Sequence, residues 1–153
     1  MKILAVDDEN TILFIVCEYL RWQGHALVTA RNGQEGLARF MESPHSFDAV
    51  LTDINMPLLD GMAMVESIRR RAFTTPVLFM TATQDPHLFA NRHALEPFDC
   101  LLKPFKLENM ELQLQSMMER HPAGVQHRTP AHPHIAGAAP RGEAAVRALP
   151  VSM

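Results

Sequence analysis

Five polar residues stand at the ends of apolar runs, and together they make a set that can handle a phosphoryl group. Asp7 and Asp8 follow "KILAV", Asp53 ends "DAVLTD", Thr81 ends "PVLFMT" and Lys103 follows "DCLL". A buried carboxylate is costly unless it is paired or bound to a metal. Three converging carboxylates repel, and at least one pKa rises unless a cation joins them. An all-oxygen cluster without imidazole selects a hard ion, Mg²⁺ ahead of zinc. Lys103 adds a fixed positive charge and Thr81 a hydroxyl. Acids, Mg²⁺, a lysine and a hydroxyl together suit a phosphoryl group, and the carboxylate nearest the middle, Asp53, is the natural nucleophile. Singly, each has a structural reading. Asp7 or Asp8 can cap a helix, Asp53 can start a turn ahead of Pro57, Thr81 suits a strand or turn, and Lys103 is a solvated charge. Their joint placement at successive strand ends is what points to a site.

Those ends follow from an alternation along residues 1–120. Short apolar runs at 2–6, 26–30, 48–52, 76–81 and 99–102 read as strands. Between and after them, residues 11–22, 33–43, 61–71, 86–95 and 107–119 have helical length or spacing. Near-continuous apolar strands mean that both sheet faces are covered, so an α/β class is expected, with a doubly wound, five-stranded parallel sheet and helices on both faces. In such sheets ligands bind beyond the carboxyl ends of the strands. The second strand, "ALVTA", ends in no polar group and is expected at an edge. In the first helix, Ile12, Ile15, Val16, Tyr19 and Leu20 are expected to meet the sheet. Leu13, Phe14 and Cys17 then fall on the other side, which reads either as a wide buried stripe with an apolar side chain or two exposed, or as a docking patch in which Phe14 anchors a partner beside Asp8 and Asp53.

Composition sets the remaining bounds. Hydrophobic residues make up 47% of the 153, enough for a sizeable core. After Glu119 the sequence turns rich in Ala, Pro, Gly and His, with few core formers, so 121–153 is expected to be a mostly disordered tail. Its three arginines against one glutamate leave −5 on residues 1–120 out of −3 for the chain, which disfavours non-specific nucleic-acid binding. Cys17 and Cys100 lack metal or disulfide spacing and read as core thiols. His127, His132 and His134 in the tail read as composition rather than as a metal site. No signal peptide or membrane span fits the sequence, so a cytoplasmic protein with no membrane partner is expected.

The stretches "VDDEN", "LTDINMPLLDG", "MTAT" and "LLKPF" resemble, in order and spacing, the four signatures of receiver domains of bacterial two-component response regulators. The resemblance covers about residues 1–119 and implies the flavodoxin-like strand order 2-1-3-4-5. It implies that Asp53 accepts a phosphoryl group from a phosphohistidine, on a sensor histidine kinase or a histidine phosphotransfer protein. It implies Mg²⁺ held by Asp8 and Asp53, by Asp7 mainly through water, and by the Asn55 backbone carbonyl. Thr81 and Lys103 would contact the phosphoryl oxygens, and Lys103-Pro104 would be cis. The sequence departs from the family where an aromatic residue usually stands, at Cys100, and where Gly-Ala usually stands, at Pro97-Phe98. The chemistry is expected to be intact, with catalysis limited to the protein's own phosphoryl transfer and autodephosphorylation.

No helix-turn-helix pattern or catalytic domain follows residue 120. A stand-alone receiver is therefore expected, signalling to an unidentified downstream protein by contact or phosphorelay without binding DNA directly. Three other readings fit the residues less well. A haloacid-dehalogenase-like hydrolase wants a second Asp where Asn55 stands. A flavodoxin-like cofactor binder wants a phosphate-cradling loop where the acidic "DDEN" stands. A degenerate receiver acting by contacts alone is argued against by the complete acceptor set.

Overall fold

The structure, a computed structural model, describes residues 1–85 and 87–122. It contains β1 (Lys2–Val6), α1 (Asn10–Trp22), β2 (Ala26–Ala30), α2 (Gly33–Glu42), β3 (Ala49–Asp53), α3 (Gly61–Arg69), β4 (Val77–Thr81), β5 (Phe98–Leu102) and α4 (Leu107–Arg120). Short 3₁₀ turns lie at Pro44–Ser46 and His93–Leu95. All pairings are parallel, in the order β2-β1-β3-β4-β5. The flavodoxin-like doubly wound sheet is therefore present, with β2 at an edge. The tail expected from residue 121 lies outside the described residues beyond Pro122, as do His127, His132 and His134.

Alternation along each strand builds two cores. Leu4, Val6, Val50, Val77 and Phe79 face α2 and α3 and pack with Phe40, Met64, Val65 and Ile68. Ile3, Leu51, Leu78, Met80 and Leu101 face α1 and α4 and pack with Val16, Leu20, Met110, Leu114 and Met117. Because β1, β3 and β4 are buried on both faces, their side chains cannot slip register without moving a whole apolar set. That fixes where each strand ends.

Two expectations need correction. The helix expected over 86–95 is absent from its described part: residues 87–91 form successive turns, and His93–Leu95 adds a 3₁₀ turn. Each local bond spans three residues, from Leu88 N–H to the Asp85 carbonyl through Ala90–His87 and Arg92–Phe89 to Leu95–Arg92. Asn91 sits at φ 59°, in the left-handed region, which interrupts an α-helix. Phe89 is drawn instead into a ring cluster with Phe79 and Phe98, at centroid distances of 5.5 and 5.0 Å.

In α1 the buried stripe is Leu13, Val16, Cys17 and Leu20: Val16 and Leu20 meet the sheet as expected, and Leu13 and Cys17 join them as in the wide-stripe reading, in place of Ile15. Leu13 and Cys17 pack on Ala5, whose small side chain leaves room beneath the helix. Ile12 and Tyr19 are partly buried against the core, and Ile15 turns outward. Phe14 is 66% exposed, as its assignment to the outer side required.

Candidate functional site

The carboxyl ends of β1, β3, β4 and β5 lie side by side, and each delivers one part of the site. Asp7 follows β1 directly and is fully buried. One of its oxygens accepts the Glu9 N–H at 2.9 Å, forming a turn ahead of α1, while the helix cap itself is Glu9, with no side-chain cap bond. Asp7 thus shapes the loop, and Asp8 is exposed beside it. Asp53 is the last residue of β3 and is buried. Oxygen atoms of Asp7, Asp8 and Asp53 all lie within 4.8 Å of one another.

Lys103 closes the group. Its Nζ lies 3.2 Å from Asp7 Oδ2 and 3.4 Å from Asp53 Oδ1. Its backbone N–H donates to the Thr81 carbonyl at 2.7 Å, which locks the ends of β4 and β5 together. The Lys103–Pro104 bond is cis. Thr81 is buried at the end of β4, with its hydroxyl accepting the Thr83 N–H at 3.2 Å. Asn55 is exposed two residues past Asp53.

The electrostatics are those of a site under strain. Burial raises the Asp53 pKa above the usual carboxylate value; Lys103 and the Ile54 N–H pull it down, while Asp7 adds to the rise. Burial works against the Lys103 ammonium, but Asp7 and Asp53 outweigh it and raise its pKa. A single ammonium thus serves two buried carboxylates, with a third carboxylate in reach. The donor set fits Mg²⁺: oxygen only, acidic, and close enough for one ion to bridge.

One positioning residue escapes a reading of the sequence. Gly61 opens α3, and a Cβ there would overlap the Asp53 carbonyl oxygen. Its N–H donates to the Ile54 carbonyl at 2.8 Å. Asp60 caps the same helix by accepting the Ala63 N–H at 2.8 Å. The only local signal is the pair Asp60-Gly61 itself, which closes the loop that begins at Ile54, directly after Asp53. Its meaning depends on a contact that only the fold creates.

Comparison with known proteins places the fold in a family. Residues 3–115 match the family model described as the response regulator receiver domain. The chain is 35% identical over 118 residues to the probable transcriptional regulator ycf27 of Cyanidium caldarium, covering 77% of this chain and 46% of that protein. It is 30% identical over 119 residues to the transcriptional regulatory protein ResD of Bacillus subtilis, covering 78% and 48%. It thus spans about half the length of these relatives. Among solved structures, the chemotaxis response regulator CheY4 of Vibrio cholerae superposes with a TM-score of 0.70 at 32% identity, over 76% of this chain and 97% of that one. The chain belongs to the receiver domain family of two-component response regulators.

Proposed function

We propose that Asp53 accepts a phosphoryl group from a phosphohistidine, carried by a sensor histidine kinase or a histidine phosphotransfer protein. The observation that supports this best is the convergence of Asp7, Asp8 and Asp53 on one ammonium at the ends of neighbouring strands. A carboxylate oxygen of Asp53 attacks phosphorus, and the P–N bond breaks with its electron pair going to the imidazole nitrogen. The imidazole, protonated on its other nitrogen, leaves neutral. The raised Asp53 pKa marks a carboxylate poorly solvated in its resting state, which favours attack. Lys103 lies where it can follow the charge from the carboxylate to the phosphoryl oxygens, and the Thr81 hydroxyl, which donates to the Thr83 carbonyl at a long 3.4 Å, would turn from that bond to donate to them.

Asp8 and Asp53, with Asp7 behind them and the Asn55 carbonyl, would hold Mg²⁺. Mg²⁺ would supply charge neutralisation for the incoming phosphoryl group. Residues 1–120 form the receiver unit in this reading, and 121–153 a separate tail. The protein catalyses only its own phosphoryl transfer and autodephosphorylation, acts in the cytoplasm, and passes its signal to another protein rather than to DNA. Among the described residues no helix is long and apolar enough to cross a membrane.

The test is incubation with a small phosphodonor and Mg²⁺, followed by intact-mass analysis. The parent should gain one alkali-labile phosphoryl group, and Asp53→Asn should gain none. Stoichiometric labelling of the variant would overturn the assignment, and loss of labelling in the parent without Mg²⁺ would support the ion.

A further inference from the structure

At the opposite end of the sheet, where β3, β4 and β5 begin, lies a cleft of about 720 Å³. That is inside the ~300–1,000 Å³ range of ligand pockets. Its apolar walls are the rings of Phe47, Phe73 and Phe98 with Pro76 and Pro97. Its charges balance, Arg71 and Arg120 against Asp48 and Glu96, with histidines counted as neutral. Each is also engaged already. Arg120 pairs with Asp99, Asp48 accepts the Lys2 N–H, Glu96 meets His93, and Arg71 donates to the Ser67 carbonyl. Among the described residues that line the cleft, the charged side chains are thus committed elsewhere and do not favour an ionic ligand. Its rings and prolines suit an uncharged apolar or proline-bearing segment.

The chain itself supplies such a segment at the rim. His121 and Pro122, the last described residues, line the cleft, and 123–153 continue from there. The first of these read "AGVQHRTPAHP". Val125 stands three residues past Pro122, a reach of ~10 Å in extended chain. A tethered segment meets its site at an effective concentration of about millimolar, so it outcompetes a free ligand of similar affinity present at lower concentration.

We propose that residues 123–127 dock in this cleft, with the Val125 side chain among the Phe47, Phe73 and Phe98 rings. The chain's own tail then covers the end of the sheet away from Asp53. Phe98 is shared with the ring cluster that holds Phe89, so the docked segment would also brace the β4–β5 connection.

Two measurements on the full chain test this. In methyl NMR, the Val125 signals should be displaced upfield by ring currents and show contacts to the Phe73 and Phe98 rings. In limited trypsin digestion followed by mass spectrometry, cleavage after Arg128 should be at least about tenfold slower than after Arg141 or Arg147, because a docked chain resists nicking. Val125→Asp should abolish both effects while leaving labelling of Asp53 by a small phosphodonor unchanged. Val125 methyls at random-coil positions overturn the proposal, whether or not Arg128 is protected, since protection alone would place the tail elsewhere. Equal cleavage at all three arginines overturns it too. Phosphodonor labelling reports on Asp53 alone, so failure of one reading leaves the other intact.

Discussion

The loop from β3 to α3 and the connection from β4 to β5 leave the sheet next to each other, and they are held by opposite means. The first is short and fastened through its backbone. Gly61 N–H bonds the Ile54 carbonyl, Gly33 N–H bonds the Leu59 carbonyl at 2.9 Å, and Asp60 caps α3. The second is long and fastened through side chains at separate points. Phe89 enters the ring cluster, Leu95 is fully buried, and Arg92 pairs with Glu66 at 2.9 Å. Arg69 donates to the Leu95 and Pro97 carbonyls of this connection at 3.0 and 3.1 Å, and ties it to the α3–β4 segment through the Phe73 and Thr75 carbonyls, each at 2.9 Å. Backbone bonds fix the position of a reacting oxygen against most side-chain changes. Side-chain anchors fix a shape that single substitutions can loosen.

The largest effect should come from breaking the first arrangement at its closest approach. Gly61→Ala forces a methyl group into the Asp53 carbonyl, so the loop must shift. A loss of about 3 kcal/mol in urea unfolding is expected. Labelling by a small phosphodonor should slow about tenfold or more, because small misplacements of reacting groups are costly. A variant with parental stability and labelling would show that the loop is as adaptable as the other connection.

Arg69→Met tests the second arrangement. The guanidinium is half-buried with no carboxylate partner among the described residues, and burial lowers its pKa to about 10. Its removal should cost about 2 kcal/mol, since four carbonyls lose a charged donor. Hydrogen exchange should rise over residues 88–97, while labelling of Asp53 stays within about twofold of the parent, as for distant sites. A large fall in labelling would mean that the two connections are not independent.

The same contrast explains what could be read from the sequence. Strands ending in Asp7, Asp53, Thr81 and Lys103 were legible because apolar runs and their polar termini are local features. The helix expected at 86–95 does not form in its described part because Phe89 is drawn to Phe79 and Phe98, and because Asn91 adopts a left-handed conformation. The stripe on α1 was legible only in part because "ILFIVC" is apolar on two adjacent arcs, and the choice between them is made by Ala5 on β1. The pair Asp60-Gly61 marked a loop end but not the role of Gly61, which arises from its contact with Asp53.

A smaller effect separates charge from geometry in the first arrangement. Asp53 holds its proton more readily in the folded chain than in the unfolded one. Its favourable contribution is present below the unfolded pKa and is lost as pH rises through the raised folded value. The ionised carboxylate therefore opposes folding at neutral pH. Lys103, also raised, contributes below its unfolded pKa and loses this as alkaline pH passes its folded value. Asp53→Asn should thus be more stable than the parent at pH 7 without metal, by less than either loss above, because Lys103 gives up one of its two partners. The gain should vanish below pH ~3.9, where the unfolded carboxyl is also protonated. A variant less stable at pH 7 would mean that Lys103 binds Asp53 more strongly than burial penalises it.

The smallest effect on the fold concerns α1, the third segment bordering the site, which neither backbone clasp nor buried anchor accounts for. Phe14 and Ile15 are exposed on the helix that begins at Asn10, just past Asp8. Solvent exposure of single apolar residues is common, but these two are adjacent on the helix that follows Asp8, on the approach that the proposed phosphohistidine-bearing partner would take. Phe14→Ala should change stability by no more than about 0.5 kcal/mol, since Phe14 contributes little to either core. Labelling by a small phosphodonor should be unchanged, because the reacting groups keep their places. Transfer from a cognate phosphohistidine protein should slow, with a loss of roughly 1 to 3 kcal/mol in binding if Phe14 anchors the contact. Stopped-flow transfer measured against partner concentration separates the cases: an anchor raises the half-saturating concentration and leaves the limiting rate alone. If both donors slow equally, Phe14 acts on the site itself, and the division between chemistry held by backbone and recognition carried by side chains fails at α1.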